Sequence, residues 1–495
     1  MRLKGVLISL FLALPFVVWA ESSNLPKGDS TMSLSGVVNF SSGEVMKGMY
    51  KALNTGGNIN LINAPNDVAH CWFGNPLARL NIAFRPNSNL EVLLGFEGNI
   101  FLNTFPTEFK TIQSANGEEP PLPQLMDWRL HQAQGIFSLF KNEEASLSLA
   151  LGLMPYKYNP EVRNLGEFLF RTGTYPFYEV NDFDFPEARV SGLRANFNYT
   201  ADNFKLTLDQ FVLTERNFPP LNDIALATLA SLDIDKIITI GAGVDFAHLI
   251  ALNDKITTPA GARFVNGIGA NNDTTWGQYT YKGTKLMGRV TLDPFGNIRG
   301  EKGSAITDLL GECGGKIYGE VAVTGLKNYP LALDSIDQLH DTMNVWGYTK
   351  VSQRMPWMVG INIPTWKIFD VCSFEIEKYP APYPNDYYQA FYGSQLPIPT
   401  WVTQFRTDTV LGPDAKGNPG IVINNYRAAV YSIQRWYWSL YMKRHIAGNA
   451  FLIGQVAHDH MRWDVNTGLE NNYATEEIMP KPGQWTWRVA LLMNF

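Results

Sequence analysis

Gln484-Trp485-Thr486-Trp487-Arg488-Val489-Ala490-Leu491-Leu492-Met493-Asn494-Phe495 closes the sequence with one parity wholly apolar: Trp485, Trp487, Val489, Leu491, Met493 and Phe495. Thr486, Arg488, Ala490, Leu492 and Asn494 hold the other parity. Successive strand side chains point to opposite faces, so the stretch predicts a strand with one apolar face and one mostly polar face. The same period of two runs through the chain. Leu90, Val92, Leu94 and Phe96 oppose Glu91, Leu93, Gly95 and Glu97; Leu193, Ala195, Phe197 and Tyr199 oppose Arg194, Asn196 and Asn198. Phe204, Leu206 and Leu208 oppose Lys205, Thr207 and Asp209, and Cys372, Phe374 and Ile376 oppose Ser373, Glu375 and Glu377.

Read by this alternation, sixteen segments are candidate strands: 31–40, 77–85, 90–101, 128–140, 145–154, 188–199, 203–214, 237–250, 284–292, 315–325, 343–351, 355–363, 370–379, 429–443, 448–461 and 484–495. Several reach the ~9–11 residues that a tilted membrane strand needs. Short connectors with turn chemistry, such as Pro86-Asn87-Ser88-Asn89, Lys141-Asn142-Glu143-Glu144 and Ala201-Asp202, alternate with long ones such as 41–76, 102–127, 155–187, 215–236, 251–283, 326–342, 380–428 and 462–483. In 215–236 the composition predicts a short helix after Pro219-Pro220, capped by Asn222 or Asp223, with Ile224-Ala-Leu-Ala-Thr-Leu as its body.

A sequence ending on such a strand, with a final aromatic, resembles the bacterial outer-membrane β-barrels, the porins among them. The resemblance implies that Trp485, Trp487, Val489, Leu491, Met493 and Phe495 are the signal read by the barrel-assembly machinery. The expected fold is all-β: a single closed antiparallel transmembrane β-barrel of about 16 strands (about 14–18) with long extracellular loops. Met32, Leu34, Gly36, Val38 and Phe40 offer the last strand a partner face that would close the barrel.

The N-terminus agrees. Arg2 and Lys4 precede an apolar run from Gly5 to Val18, and Val18-Trp19-Ala20 offers a cleavage site before Glu21. Residues 1–20 read as a secretory signal peptide and 21–495 as the barrel domain; a single N-terminal anchor is the alternative, for which the run is short of ~20 residues. The most apolar later stretch, Ala225 to Leu252, is interrupted by Asp233, Asp235, Lys236 and Asp245, each costing ~2.5–3.5 kcal/mol at a helix centre.

The net charge is −6; removing Arg2 and Lys4 leaves 38 bases (40 − 2) against 46 acids, or −8. That acidity argues against a nucleic-acid partner. Charged residues are 17% against ~25% for soluble domains, and aromatics 13%, which suits a wall facing lipid outside and water inside. Cys71, Cys313 and Cys372 allow at most one disulfide and lack metal-site spacing.

Charges opposite apolar rows are expected to face the lumen, because a Lys or Arg facing lipid would cost ~2–4 kcal/mol at the midplane. These pore-lining candidates are Glu91, Glu97, Arg194, Lys205, Asp209, Glu375, Glu377 and Arg488. General porins carry a long loop after an early hairpin that folds inward and narrows the pore. The segment from Pro155 to Glu187 is similar in placement, so Lys157, Glu161, Arg163, Glu167, Arg171, Glu179, Asp182 and Asp184 are constriction-loop candidates. An ordinary rim loop is the alternative. Tyr379, Tyr383, Tyr387, Tyr388, Phe391, Tyr392 and Trp401 read as an interfacial girdle or as a glycan-stacking loop. His458-Asp459-His460 puts two imidazoles on one face, yet no third metal ligand is visible.

The function expected is passive diffusion of small hydrophilic solutes through a porin-like channel of the bacterial cell outer membrane, with no cofactor and no catalysis. Expected partners are outer-membrane lipid and lipopolysaccharide, the barrel-assembly machinery and the solutes themselves; a homo-oligomer is left open. Two alternatives stand: a barrel that anchors adhesive loops, and a lipolytic barrel using Ser432 or Ser439 with His445.

Overall fold

The computed structural model describes residues 31–50, 66–100, 102–103, 126–170, 188–214, 224–250, 283–298, 310, 314–323, 326, 351–366, 368–378, 380, 409–410, 422–423, 436–461, 479 and 483–495. Sixteen strands make the wall: β1 Thr31–Lys47, β2 Cys71–Asn87, β3 Leu90–Ile100, β4 Met126–Lys141, β5 Ala145–Tyr156, β6 Ala188–Thr200, β7 Phe204–Thr214, β8 Ile224–Ile234, β9 Ile238–Ile250, β10 Gly283–Leu292, β11 Ile317–Val323, β12 Trp357–Asn362, β13 Val371–Lys378, β14 Trp436–Ala447, β15 Ala450–His458 and β16 Trp485–Asn494. Leu102–Asn103 continues β3 along β2. Each strand pairs antiparallel with its sequence neighbours, and β1 pairs with both β2 and β16, so the sheet closes without an edge. Closure matters in lipid, where an unpaired edge would leave its N–H and C=O groups unsatisfied.

The closing register sets Val38 opposite Met493 and Phe40 opposite Leu491. The outer face carries exposed apolar side chains, among them Leu34, Leu80, Leu94, Leu151, Leu208, Val290 and Val489. Trp72 and Trp487 meet edge to face at 5.5 Å at the long-loop end, as do Trp357 and Trp436. Tyr199 and Phe204 meet at the short-turn end at 5.8 Å with their rings tilted by 47°. Such belts sit where the headgroups would lie.

Two sequence expectations fail. Residues 224–234 form β8, not a helix, and pair with β7 and β9 along their length. Their Ala and Leu content favours a helix in isolation, but a place between two strands decides otherwise. The candidate strand 343–351 lies outside the described residues except for Val351, which belongs to a 3-10 turn. β11 pairs directly with β12, which leaves no place between them in the wall. The two errors offset in the count. The proposed signal peptide also lies outside the described residues. Cys71 is buried and Cys372 half-buried, and Cys313 is not described.

Candidate functional site

After β5 the chain does not leave the barrel. Residues 157–170 fold against the inner wall of β7–β13, and Val162, Leu165, Phe168 and Leu169 are fully buried there with inward-facing Phe211, Ala227, Met287 and Met358. This apolar patch inside the barrel explains why β8 lacks a clean polar face: Ala227 and Leu229 point inward beneath the loop.

A loop inside a wall must still satisfy its backbone. Seven consecutive N–H groups, Arg163 to Leu169, all donate to side chains. Arg163 donates to Glu375 Oε1 (2.6 Å), and Asn164 and Leu165 to Glu375 Oε2 (2.9 Å each). Gly166 donates to Glu377 Oε2 (3.0 Å), Glu167 and Phe168 to the two oxygens of Glu320 (3.1 and 2.9 Å), and Leu169 to Tyr158 Oη (3.0 Å). Tyr318 completes the set on Glu375 Oε1 at 2.9 Å, and Tyr158 that on Glu320 Oε1 at 2.5 Å. A carboxylate offers about four lone-pair sites, so Glu320 and Glu375 are close to saturated. Tyr318 reaches Glu375 across β12 because Gly360 leaves room; a Cβ there would lie 2.3 Å from the ring.

Further ties fix the loop. Lys157 Nζ donates to Val162 O (2.7 Å), and Glu167 Oε1 accepts the Asn159 N–H (2.5 Å). Glu161 holds Lys316 Nζ at 2.6 Å and accepts from Asn362 Nδ2 at 3.2 Å. Asn164 Nδ2 donates to Asp459 (2.7 Å), His460 Nε2 meets Glu377 Oε1 at 3.0 Å, and both His458 and His460 pack on Tyr437. Burial, and next the charge of Glu320, raise the Tyr158 hydroxyl well above its ordinary pKa, so it stays a donor.

The wall candidates take several positions. Glu375 and Glu377 point inward but are 1% and 0% exposed; they anchor the loop and do not face open water, which corrects the expectation for them. Glu97 is equally buried, between Arg79 (2.6 Å) and Arg189 (3.5 Å). Asp209 accepts from Arg194 Nε and Tyr156 Oη at 2.8 Å each. Glu91 pairs with Arg85 at 2.5 Å near a short turn. Arg488 Nε donates to Gln455 (2.6 Å), and Lys205 is exposed at the start of β7.

Arg171, Glu179, Asp182 and Asp184 fall outside the described residues, as do Ser432 and the aromatic residues Tyr379, Tyr383, Tyr387, Tyr388, Phe391, Tyr392 and Trp401. Ser439 is buried inside the barrel under Gln455. His445 sits at the end of the same strand beside Gly448, six positions on and so ~20 Å away; these two form no catalytic pair. Glu320, Tyr158 and Tyr318 were not singled out by sequence, and His460 was read only as one of a histidine pair. Glu320 had a signal, as a lone carboxylate between inward Tyr318 and Ala322 on an otherwise alternating strand.

Among the described residues no group of His, Cys, Asp and Glu could hold a metal, and no helix is long and apolar enough to cross a membrane. No family model matches the chain. No curated protein matches it. Solved structures with which it aligns include a variant of Rhodopseudomonas blastica porin (7% identity, 94% of this chain and 100% of that one, TM-score 0.34). Pseudomonas putida OprB at high pH aligns at 10% identity over 94% of each chain, TM-score 0.44. Salmonella typhi OmpF in complex with daunomycin aligns at 8% identity over 94% and 98%, TM-score 0.40. The architecture rests on the strand pairing above and not on these likenesses.

Proposed function

We propose that the chain is a porin-like channel of the bacterial outer membrane for passive diffusion of small hydrophilic solutes, with residues 157–170 as its constriction. The observation that carries this is the run of seven backbone N–H groups held by side chains inside the barrel. A wall of about 16 strands encloses an aqueous lumen, and a segment fixed to one side of it narrows that lumen without filling it. Passage is then sieved by width and biased by the charges left facing water. Outer-membrane lipid, lipopolysaccharide and the assembly machinery are the partners this role requires.

Refolded protein in a planar bilayer tests the reading. Stepwise conductance is expected. A heat-modifiable barrel that never conducts would overturn the channel and favour a barrel serving only as an anchor.

A further inference from the structure

On the short-turn side of the loop the barrel keeps a cavity of about 250 Å³, roofed by Pro160 and Glu161 and walled by β7–β10. Two cross-strand rungs form its wall. One is Lys205–Asp233–Thr239–Thr291; the other is Thr207–Ser231–Gly241–Arg289. On the far side of Arg289, its register partner is Glu320, whose oxygens are taken by the loop. The guanidinium turns the other way instead. It crosses β9 over Gly241, where a Cβ would lie 2.6 Å from Nε, and donates to Ser231 Oγ at 2.9 Å.

The charges here are unequally matched. Lys316 is neutralised by Glu161 at 2.6 Å and lies 3.9 Å from Asp293. Arg289, Lys205 and Lys236 line the same cavity with no carboxylate at ion-pair distance among the described residues. Asp233 is engaged in the turn: its Oδ1 accepts the Lys236 N–H (3.0 Å) and its Oδ2 the Thr239 hydroxyl (3.4 Å). Over the whole lining, four cations (Lys205, Lys236, Arg289 and Lys316) less three carboxylates (Glu161, Asp233 and Asp293) leave a net charge of +1 (4 − 3). Hydroxyls of Thr207, Ser231, Thr239 and Thr291 fill the space between them.

We propose that this chamber is an oxyanion-binding subsite on the solute path, taking small hydroxylated carboxylates or phosphates. The proposal rests on the channel reading and adds a substrate class to it. A guanidinium presents a planar fork that matches an oxyanion in two-point fashion. The two ammonium groups supply attraction, and the hydroxyls can meet those of the solute. The volume falls below the ~300–1,000 Å³ that accommodates drug-sized ligands, so the occupant is no larger than about a single sugar acid or sugar phosphate.

The test uses the detergent-folded full chain, with binding read by calorimetry and ion selectivity read from reversal potentials in bilayers. Gluconate and inorganic phosphate are the probes, and glucose is the neutral control. Binding of gluconate, phosphate or both, with none of glucose, is expected, and shows which oxyanion the fork prefers. R289Q should weaken binding about tenfold, with R289K recovering part of the loss. K205Q alters an exposed side chain and should fold as the parent, shown by heat-modifiable migration, while shifting selectivity away from anions. Anion binding without conductance would support the subsite and sink the channel. Conductance without anion binding, or parental selectivity in folded K205Q and R289Q, would overturn the subsite and leave the channel standing.

Discussion

The ring of Phe495 occupies the space that a side chain on Gly36 would need. A Cβ on Gly36 would lie 2.3 Å from Phe495 Cζ, and the two residues exchange both backbone hydrogen bonds, at 2.9 and 3.0 Å. This pair is the seam of the barrel at its short-turn end, where β1 meets β16. Gly36→Leu forces the ring aside and should cost about 1–3 kcal/mol by overpacking. Deleting Phe495 removes the ring and one side of both hydrogen bonds, and should lower the yield of heat-modifiable barrel. Arg488→Gln, at an inward position beside Gln455, should assemble as the parent does. A Phe495 deletion that assembled equally well would refute both the seam and the assembly-signal role.

The three glutamates under the loop should differ in weight. Glu375 accepts three loop N–H groups and Glu320 two, whereas Glu377 accepts one together with its His460 contact. Hydrogen bonds to charged groups are worth about 1.5–3 kcal/mol each. An amide also turns an N–H donor toward the backbone donors. Glu375→Gln and Glu320→Gln should therefore raise single-channel conductance and expose residues 157–170 to protease, with Glu377→Gln milder. Parental conductance and digestion in Glu375→Gln would mean that the loop is held by its apolar contacts alone.

Alternation was legible wherever the inner face is wet. β3, β7 and β16 each set charges against apolar rows, and each lies within two residues of its expected span. β8 was illegible for the reason that makes it useful. Its inward Ala227 and Leu229 contact the folded loop, so both faces are apolar there and the period of two fades. The site was legible only in part. Sequence located the segment after β5 and its charged residues, but the anchoring acts through backbone N–H groups, which carry no sequence signature. Arg289 was missed because its role depends on Gly241, one strand away, leaving it room.

The His458-Asp459-His460 run yields a test of how the loop is tied at its other margin. Asp459 takes the Asn164 amide at 2.7 Å, and His460 touches Glu377 while lying on Tyr437 at 3.6 Å between ring centres. Asp459→Ala removes one partly buried hydrogen bond, worth about 1 kcal/mol. His460→Ala also removes a packed ring and should loosen the loop more. Digestion of the loop in folded protein should rank Glu375→Gln above His460→Ala above Asp459→Ala. Supplying zinc should leave all three unchanged. A zinc-dependent protection lost in His460→Ala would instead mark a metal site.

Tyr158 gives the loop a pH dependence. Its hydroxyl donates to Glu320 and accepts the Leu169 N–H, within the folded-in segment and not in a strand. Burial first, then the charges of Glu320 and Glu167, raise its pKa well above 10.0. A group whose folded pKa is raised contributes stability that is fully present below its unfolded pKa. That contribution is lost as pH climbs from there through the folded pKa. Parent stability should therefore fall above about pH 10, with this residue adding at most about 1.4 kcal/mol per pH unit to the slope. Tyr158→Phe leaves Leu169 N–H without its acceptor and should cost about 1–3 kcal/mol at neutral pH. Its alkaline slope should be shallower. Denaturant midpoints measured from about pH 8 to about pH 11.5 would decide it: parallel curves for parent and variant would show that the hydroxyl does not titrate with folding.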